Sequence, residues 1–110
     1  MMSRTQILKG ILDACVMTII KEDEVYGYEL AVRLQAVGLP EISDGTIYPV
    51  LLRLQKKGFI FSELKDSPSG PKRKYYYLTK EGEEELNSII QQWNTIVTPV
   101  NELLGRKDET

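Results

Sequence analysis

The 110-residue chain contains no histidine. The commonest general base and the commonest metal ligand are therefore missing, and so are Ser-His and Cys-His nucleophile pairs. Its one cysteine, Cys15, cannot form an intrachain disulfide and fits a reducing compartment. Cys15 also falls on an apolar helical stripe, where a thiol is inert rather than nucleophilic. The eight glycines form neither a G-x-G-x-x-G nor a Walker loop. No apolar run approaches the ~20 residues that span a membrane. The start, MMSRTQILKG, lacks the uninterrupted apolar core and cleavage site of a signal peptide. Carboxylates cluster at Glu83-Glu84-Glu85, but in a polar helical run that reads as a solvated face. These absences predict no metal, no cofactor, no enzymatic activity, no membrane contact and a cytoplasmic location.

Apolar residues make up 42% and charged residues 27% of the chain, the balance of one small folded domain. A core this small gains from sharing surface with a second copy. The net charge of −2 is unevenly spread. Residues 46–78 carry seven cations (Arg53, Lys56, Lys57, Lys65, Lys72, Arg73, Lys74) against two carboxylates, a balance of +5. The flanks are acidic, with four cations against seven carboxylates before this stretch and three against seven after it. A basic middle between acidic ends predicts one surface built for an anion.

Hydrophobic periodicity supplies the elements. Ile7, Leu8, Ile11, Leu12, Cys15, Val16, Ile19 and Ile20 recur in three-and-four steps and predict one amphipathic helix ending near Lys21. A second helix is expected from Val25 or Tyr26 to Val37, burying Leu30, Ala31, Leu34 and Val37, with Gly38 as its left-handed cap and Pro40 as a stop signal. The third lies in DGTIYPVLLRLQKKG (44–58), capped by Ser43 or Asp44 and closed by Gly58. Pro49 within it predicts a late or irregular start that tilts Thr46 and Tyr48 outward.

The period then changes. FIFSELK (59–65) and KRKYYYLT (72–79) predict two strands of a hairpin, with Tyr76 and Leu78 inward and Arg73, Tyr75 and Tyr77 on the other face. Thr79 caps a last helix. There Leu86, Ile90, Trp93, Val97, Val100 and Leu104 form a coiled-coil-like seam predicted to pair two copies. Pro99 is expected to kink that helix, and residues 106–110 to fray.

The order α-α-α-β-β-α describes a mainly helical α+β winged helix-turn-helix, with residues 1–79 as the DNA-binding unit and 80–110 as a dimerisation helix and tail. In such a unit the third helix enters the major groove, which is wide enough to admit it, and the hairpin follows the phosphates. The predicted DNA-contact set is Ser43, Thr46, Tyr48 and Arg53 on that helix, Lys72, Arg73 and Lys74 on the hairpin, and Tyr28 near the start of the second helix. Thr46 and Tyr48 could alternatively be a cap and a packed aromatic, and Arg53 a salt-bridge partner. Lys72–Lys74 could be a charged edge that deters aggregation. A winged helix also serves as a protein-docking module without DNA binding, and an acidic chain suits that role.

YGYEL (26–30), GTIYPVLLRLQKKGFI (45–60) and SGPKRKYYYLT (69–79) stand in the order found in PadR-type transcriptional regulators, and the chain resembles the short form of that family with one final helix. The resemblance implies a homodimeric DNA-binding regulator, usually a repressor released by a small aromatic or hydrophobic effector. In some drug-sensing members an aromatic at the place of Trp93 lines a cavity between subunits, and here Leu8, Leu12 or Cys15 of the first helix could supply the opposite wall. The alternative for Trp93 is dimer packing. Tyr77 departs from the family's pattern, where Arg often precedes the Leu-Thr pair, and the overall acidity departs as well.

Overall fold

Helix α1 (Arg4–Leu8) opens the fold with a capping box in which Ser3 and Gln6 satisfy each other's backbone amides. The single helix expected over this region is in fact two. Lys9 and Ile11 donate to the carbonyls three residues back, a tightened turn, and α2 (Leu12–Glu22) starts afresh after Gly10. Glycine is about 1 kcal/mol less favourable than alanine inside a helix, which local periodicity does not register. The computed structural model describes residues 1–68 and 70–106. The predicted fray from residue 107 onward lies outside the described residues.

After α2 come a two-residue strand β1 (Val25–Tyr26), helix α3 (Gly27–Ala36) and helix α4 (Asp44–Lys56). Helix α3 buries Leu30, Ala31 and Leu34, but Val37, expected inside, is its C-cap and is exposed. Gly38 and Gly58 follow α3 and α4 with φ of 114° and 77°, the left-handed backbone that ends a helix at little cost only in glycine. The late start expected for α4 does not occur. Ser43 is its N-cap, and the Thr46 and Ile47 amides both donate to the Ser43 carbonyl at 3.0 Å. Pro49 therefore sits in the second turn, where it leaves the Gly45 carbonyl without its helical donor. Gly45 is exposed, so solvent can fill that place.

Strands β2 (Ile60–Ser67) and β3 (Gly70–Leu78) pair antiparallel, and β1 adds to the far edge of β3, giving the order β1-β3-β2. Tyr76 and Leu78 turn toward the core as alternation requires. The core gathers α2, α3, α4 and the inner face of the sheet around Val16, Met17, Leu30, Ile47 and Leu51. Helix α5 (Lys80–Leu104) begins at a Thr79 N-cap and runs unbroken through Pro99. It touches the core only near its start. Leu86, expected on the dimer seam, is 2% exposed and belongs to the chain's own core. The seam proper is exposed beyond it, and α5 draws the molecule out to 62 × 28 × 21 Å.

Candidate nucleic-acid interface

Two elements form one side of the molecule. Helix α4 follows α3 through the Val37–Ser43 turn, and the β2–β3 hairpin follows α4 directly through Gly58. Burial of Ile47, Val50, Leu51 and Leu54 pins one side of α4, and Tyr48, Pro49, Leu52, Arg53 and Lys56 are left exposed on its other positions.

Tyr48 is held by shape. Its Cε1 and hydroxyl lie 3.4 Å from where a Cβ on Gly27 would stand, so the absence of a side chain at Gly27 lets the ring approach α3. With Tyr26, Tyr28, Arg73, Lys74 and Tyr76 these two residues line a recess of about 250 Å³. The Arg73 guanidinium lies over the Tyr26 ring at 4.4 Å, and Tyr26 meets Tyr75 edge to face at 5.7 Å. Such contacts fix the direction of a cation without neutralising it. Burial, with the Tyr48 phenol adding to it, pushes the Tyr76 phenol up, so it stays a neutral hydrogen-bond donor. Phenolic hydroxyls beside a guanidinium and an ammonium are groups that bind phosphate oxygens.

The seven cations of the basic stretch divide into two kinds. Arg53 Nη2 lies 2.5 Å from Asp13 Oδ1 on α2, so the salt-bridge alternative describes it in this structure. The Lys65 ammonium donates to the Glu24 carboxylate, which also accepts from the Tyr77 hydroxyl at 3.1 Å. Tyr77 thus anchors the hairpin to the residue before β1. Among the described residues, Lys56, Lys57, Lys72, Arg73 and Lys74 have no carboxylate partner. They occupy the end of α4 and strand β3 of the hairpin, and of them Arg73 and Lys74 border the recess beside Tyr48.

Of the remaining expected contacts, Thr46 is half-buried and Tyr28 is exposed. Ser43 is exposed, and its side chain makes no capping bond. Sequence reasoning passed over Leu52 and Glu24. Leu52 is an apolar residue four positions after Tyr48 and off the buried stripe, a signal the helical wheel contains. Glu24 gave no local signal, because its partners lie 41 and 53 residues away.

A second region lies at the other end. Trp93 is 44% exposed and borders a groove of about 480 Å³ with Ile7, Leu8, Ile11, Ile96 and Val100. Cys15 lines an adjoining hollow of about 310 Å³, and burial pushes its thiol up. Leu12, expected on this wall, is instead buried in the core, about 60° around the helix from Cys15 at 3.6 residues per turn. Ile90, Val100 and Leu104 of the seam are exposed and Val97 is half-buried. No helix among the described residues is long and apolar enough to cross a membrane.

Comparison with known proteins gives a consistent picture. The transcriptional regulator PadR-like family profile matches residues 16–88. A PadR-like transcriptional regulator from Bacillus cereus is 48% identical and has the same fold, with a TM-score of 0.84 over 93% of this chain and 99% of that one. A Streptococcus transcriptional regulator is 44% identical, with a TM-score of 0.81 over 91% and 98% of the two chains. An uncharacterised protein from Lysinibacillus sphaericus is 34% identical over 84% of this chain and 86% of its own.

Proposed function

Because the chain belongs to the PadR-like family of transcriptional regulators, DNA-binding regulators rather than enzymes, we propose that it is a cytoplasmic homodimeric repressor relieved by a small aromatic or hydrophobic effector. The observation that carries this reading is the exposed apolar stripe of α5, where Ile90, Trp93, Ile96, Val100 and Leu103 face solvent in a single chain. A helix face this apolar is covered in the working protein, and a two-fold copy is the simplest cover. Residues 80–110 then serve as the dimerisation segment, and residues 1–79 as the unit that meets DNA.

Pairing through α5 presents two α4 helices to half-sites about 34 Å apart, one turn of the duplex. Arg73, Lys72 and Lys74 bind phosphates and supply much of the affinity, while residues of α4 select sequence. Trp93 and its groove lie against the pairing helix, so an effector lodged there changes the separation of the two α4 helices. It acts only if it binds the two dimer geometries unequally.

The test combines mass and selection. Light scattering on the purified chain should give twice the mass of the 12.6 kDa chain, and selection from a random duplex library should enrich a two-fold symmetric sequence. A monomer, or a library returned unenriched, overturns the reading. The unenriched library favours the docking-module alternative.

A further inference from the structure

Helix α4 buries Ile47, Val50, Leu51 and Leu54. At 3.6 residues per turn, its outward meridian runs through Gly45, Pro49, Leu52 and Lys56, all exposed. Tyr48 and Arg53 flank that line on opposite sides, and each is engaged within the chain, one against Gly27 and the other by Asp13. Gln55 is half-buried and donates to the Ser62 hydroxyl at 3.4 Å. Arginine, lysine, asparagine and glutamine read bases by hydrogen bonds; on this helix Arg53 and Gln55 are already occupied, and Lys56 stands only at the C-terminal end of the meridian.

In their place stands Leu52, 62% exposed in the middle of a helix. Its isobutyl group packs into no core, and Lys56, one turn further along the same exposed meridian, gives this face a cation that suits a polyanion. Among the groups displayed in the major groove, the thymine C5-methyl is the apolar one. Resting on the DNA-binding reading above, we propose that Leu52 is a specificity-determining residue that selects thymine by contact with its C5-methyl, with the Pro49 ring extending the same apolar strip. Guanine and cytosine at that place meet a side chain that cannot answer their hydrogen-bonding edges, which costs binding free energy. The preferred operator half-site therefore carries an A·T pair beneath the centre of α4, read by shape and apolar contact rather than by a bidentate side chain.

The experiment removes the methyl and nothing else. Duplexes selected by the full chain are remade with each thymine in turn replaced by deoxyuridine, which keeps every hydrogen-bonding group. One or two replacements per half-site should weaken binding about fourfold each, the worth of one buried methyl. In Leu52→Ala that difference disappears, while the circular dichroism spectrum and the cooperative melt match those of the wild type, which shows that the variant is folded. Leu52→Met, which keeps an apolar side chain, retains the thymine preference. Equal binding of thymine and deoxyuridine duplexes by the wild type overturns the proposal and leaves DNA binding intact, as does a difference that survives in Leu52→Ala. Failure to select any duplex overturns the proposal together with the reading beneath it.

Discussion

Arg53 on α4 and Asp13 on α2 form an ion pair 2.5 Å long between residues 40 positions apart. It ties the helix proposed to read DNA to the helix whose other residues, Ile11, Ala14 and Cys15, line the hollow beside Trp93. The pair is a direct contact between the two helices. The pair also neutralises one cation on the exposed side of α4.

Asp13→Asn tests the loss of that cation. Each partner keeps contact with solvent, so the pair contributes no more than about 1 kcal/mol, and stability should fall by less than that. Releasing Arg53 should tighten duplex binding and steepen the dependence of log affinity on log salt by about one. Adding Arg53→Gln to the same chain should return the slope to its wild-type value. Denaturant unfolding measures the stability, and fluorescence anisotropy of a labelled duplex over a range of salt concentrations measures the affinities and slopes.

Arg73→Ala makes the opposite change. Arg73 is directed by the Tyr26 ring and has no carboxylate partner among the described residues, so its loss should flatten the salt slope by about one. Phosphate contacts carry no sequence information, so the ranking of duplexes in competition should be unchanged. An affinity that is independent of salt contradicts this account.

The contrast between Arg53 and Arg73 shows where sequence reading reaches its limit. Apolar spacing placed α3, α4, the hairpin and α5, because burial of one face leaves a periodic record in the chain. The glycine closures at Gly38 and Gly58 were legible for a similar reason, each being a local backbone requirement. Counting charges located the basic stretch but could not show that Asp13 and Glu24 neutralise two of its cations, since those partners meet only through the tertiary fold. The two-residue β1 is too short to carry a period, and the break at Gly10 sits inside a stripe whose spacing continues across it. Leu86 fits the heptad of α5 as well as Ile90 does, and only the packing of α5 against α2 assigns one inward and the other outward.

Trp93 is the only tryptophan, so its emission reports on one place. The groove beside it, about 480 Å³, falls in the range of small-molecule sites. Planar aromatic compounds should quench Trp93 fluorescence in a saturable titration and weaken duplex binding over the same concentration range. No response across a broad panel leaves Trp93 as dimer packing.

Gly82 should tolerate no side chain. A Cβ there would stand 1.9 Å from the Phe59 carbonyl oxygen. The same junction carries the Thr79 amide donating to that oxygen at 3.0 Å, the Thr79 hydroxyl donating to the Gly58 carbonyl at 2.6 Å, and the Gly82 amide donating to the Thr79 hydroxyl at 3.0 Å. The obstacle is backbone and cannot rotate away. Gly82→Ala should lower stability by about 2–3 kcal/mol, measured as a reduced denaturant midpoint, while Asn87→Ala on the exposed side of α5 stays within about 0.5 kcal/mol of wild type.

Glu24 sets a pH dependence on the hairpin's attachment. Hydrogen bonds from Lys65 and then from the Tyr77 hydroxyl hold its carboxyl below the usual glutamate value, and the same partnership raises the Lys65 ammonium. A lowered carboxyl contributes stability above its unfolded value of about 4.3 and loses that contribution as pH falls through the folded value. A raised ammonium contributes below its unfolded value of about 10.4 and loses that contribution only as pH climbs through its own folded value. Between roughly pH 5 and pH 10 the anchor is therefore constant, and its loss on the acid side belongs to Glu24. Carboxyl-detected NMR titration should place the Glu24 midpoint below the usual glutamate value, and amide exchange along β3 should accelerate as Glu24 protonates. In Glu24→Gln the exchange of β3 should be fast already at neutral pH and show no further acid step at that midpoint. Lys65, freed from its partner, should then steepen the salt dependence of duplex binding.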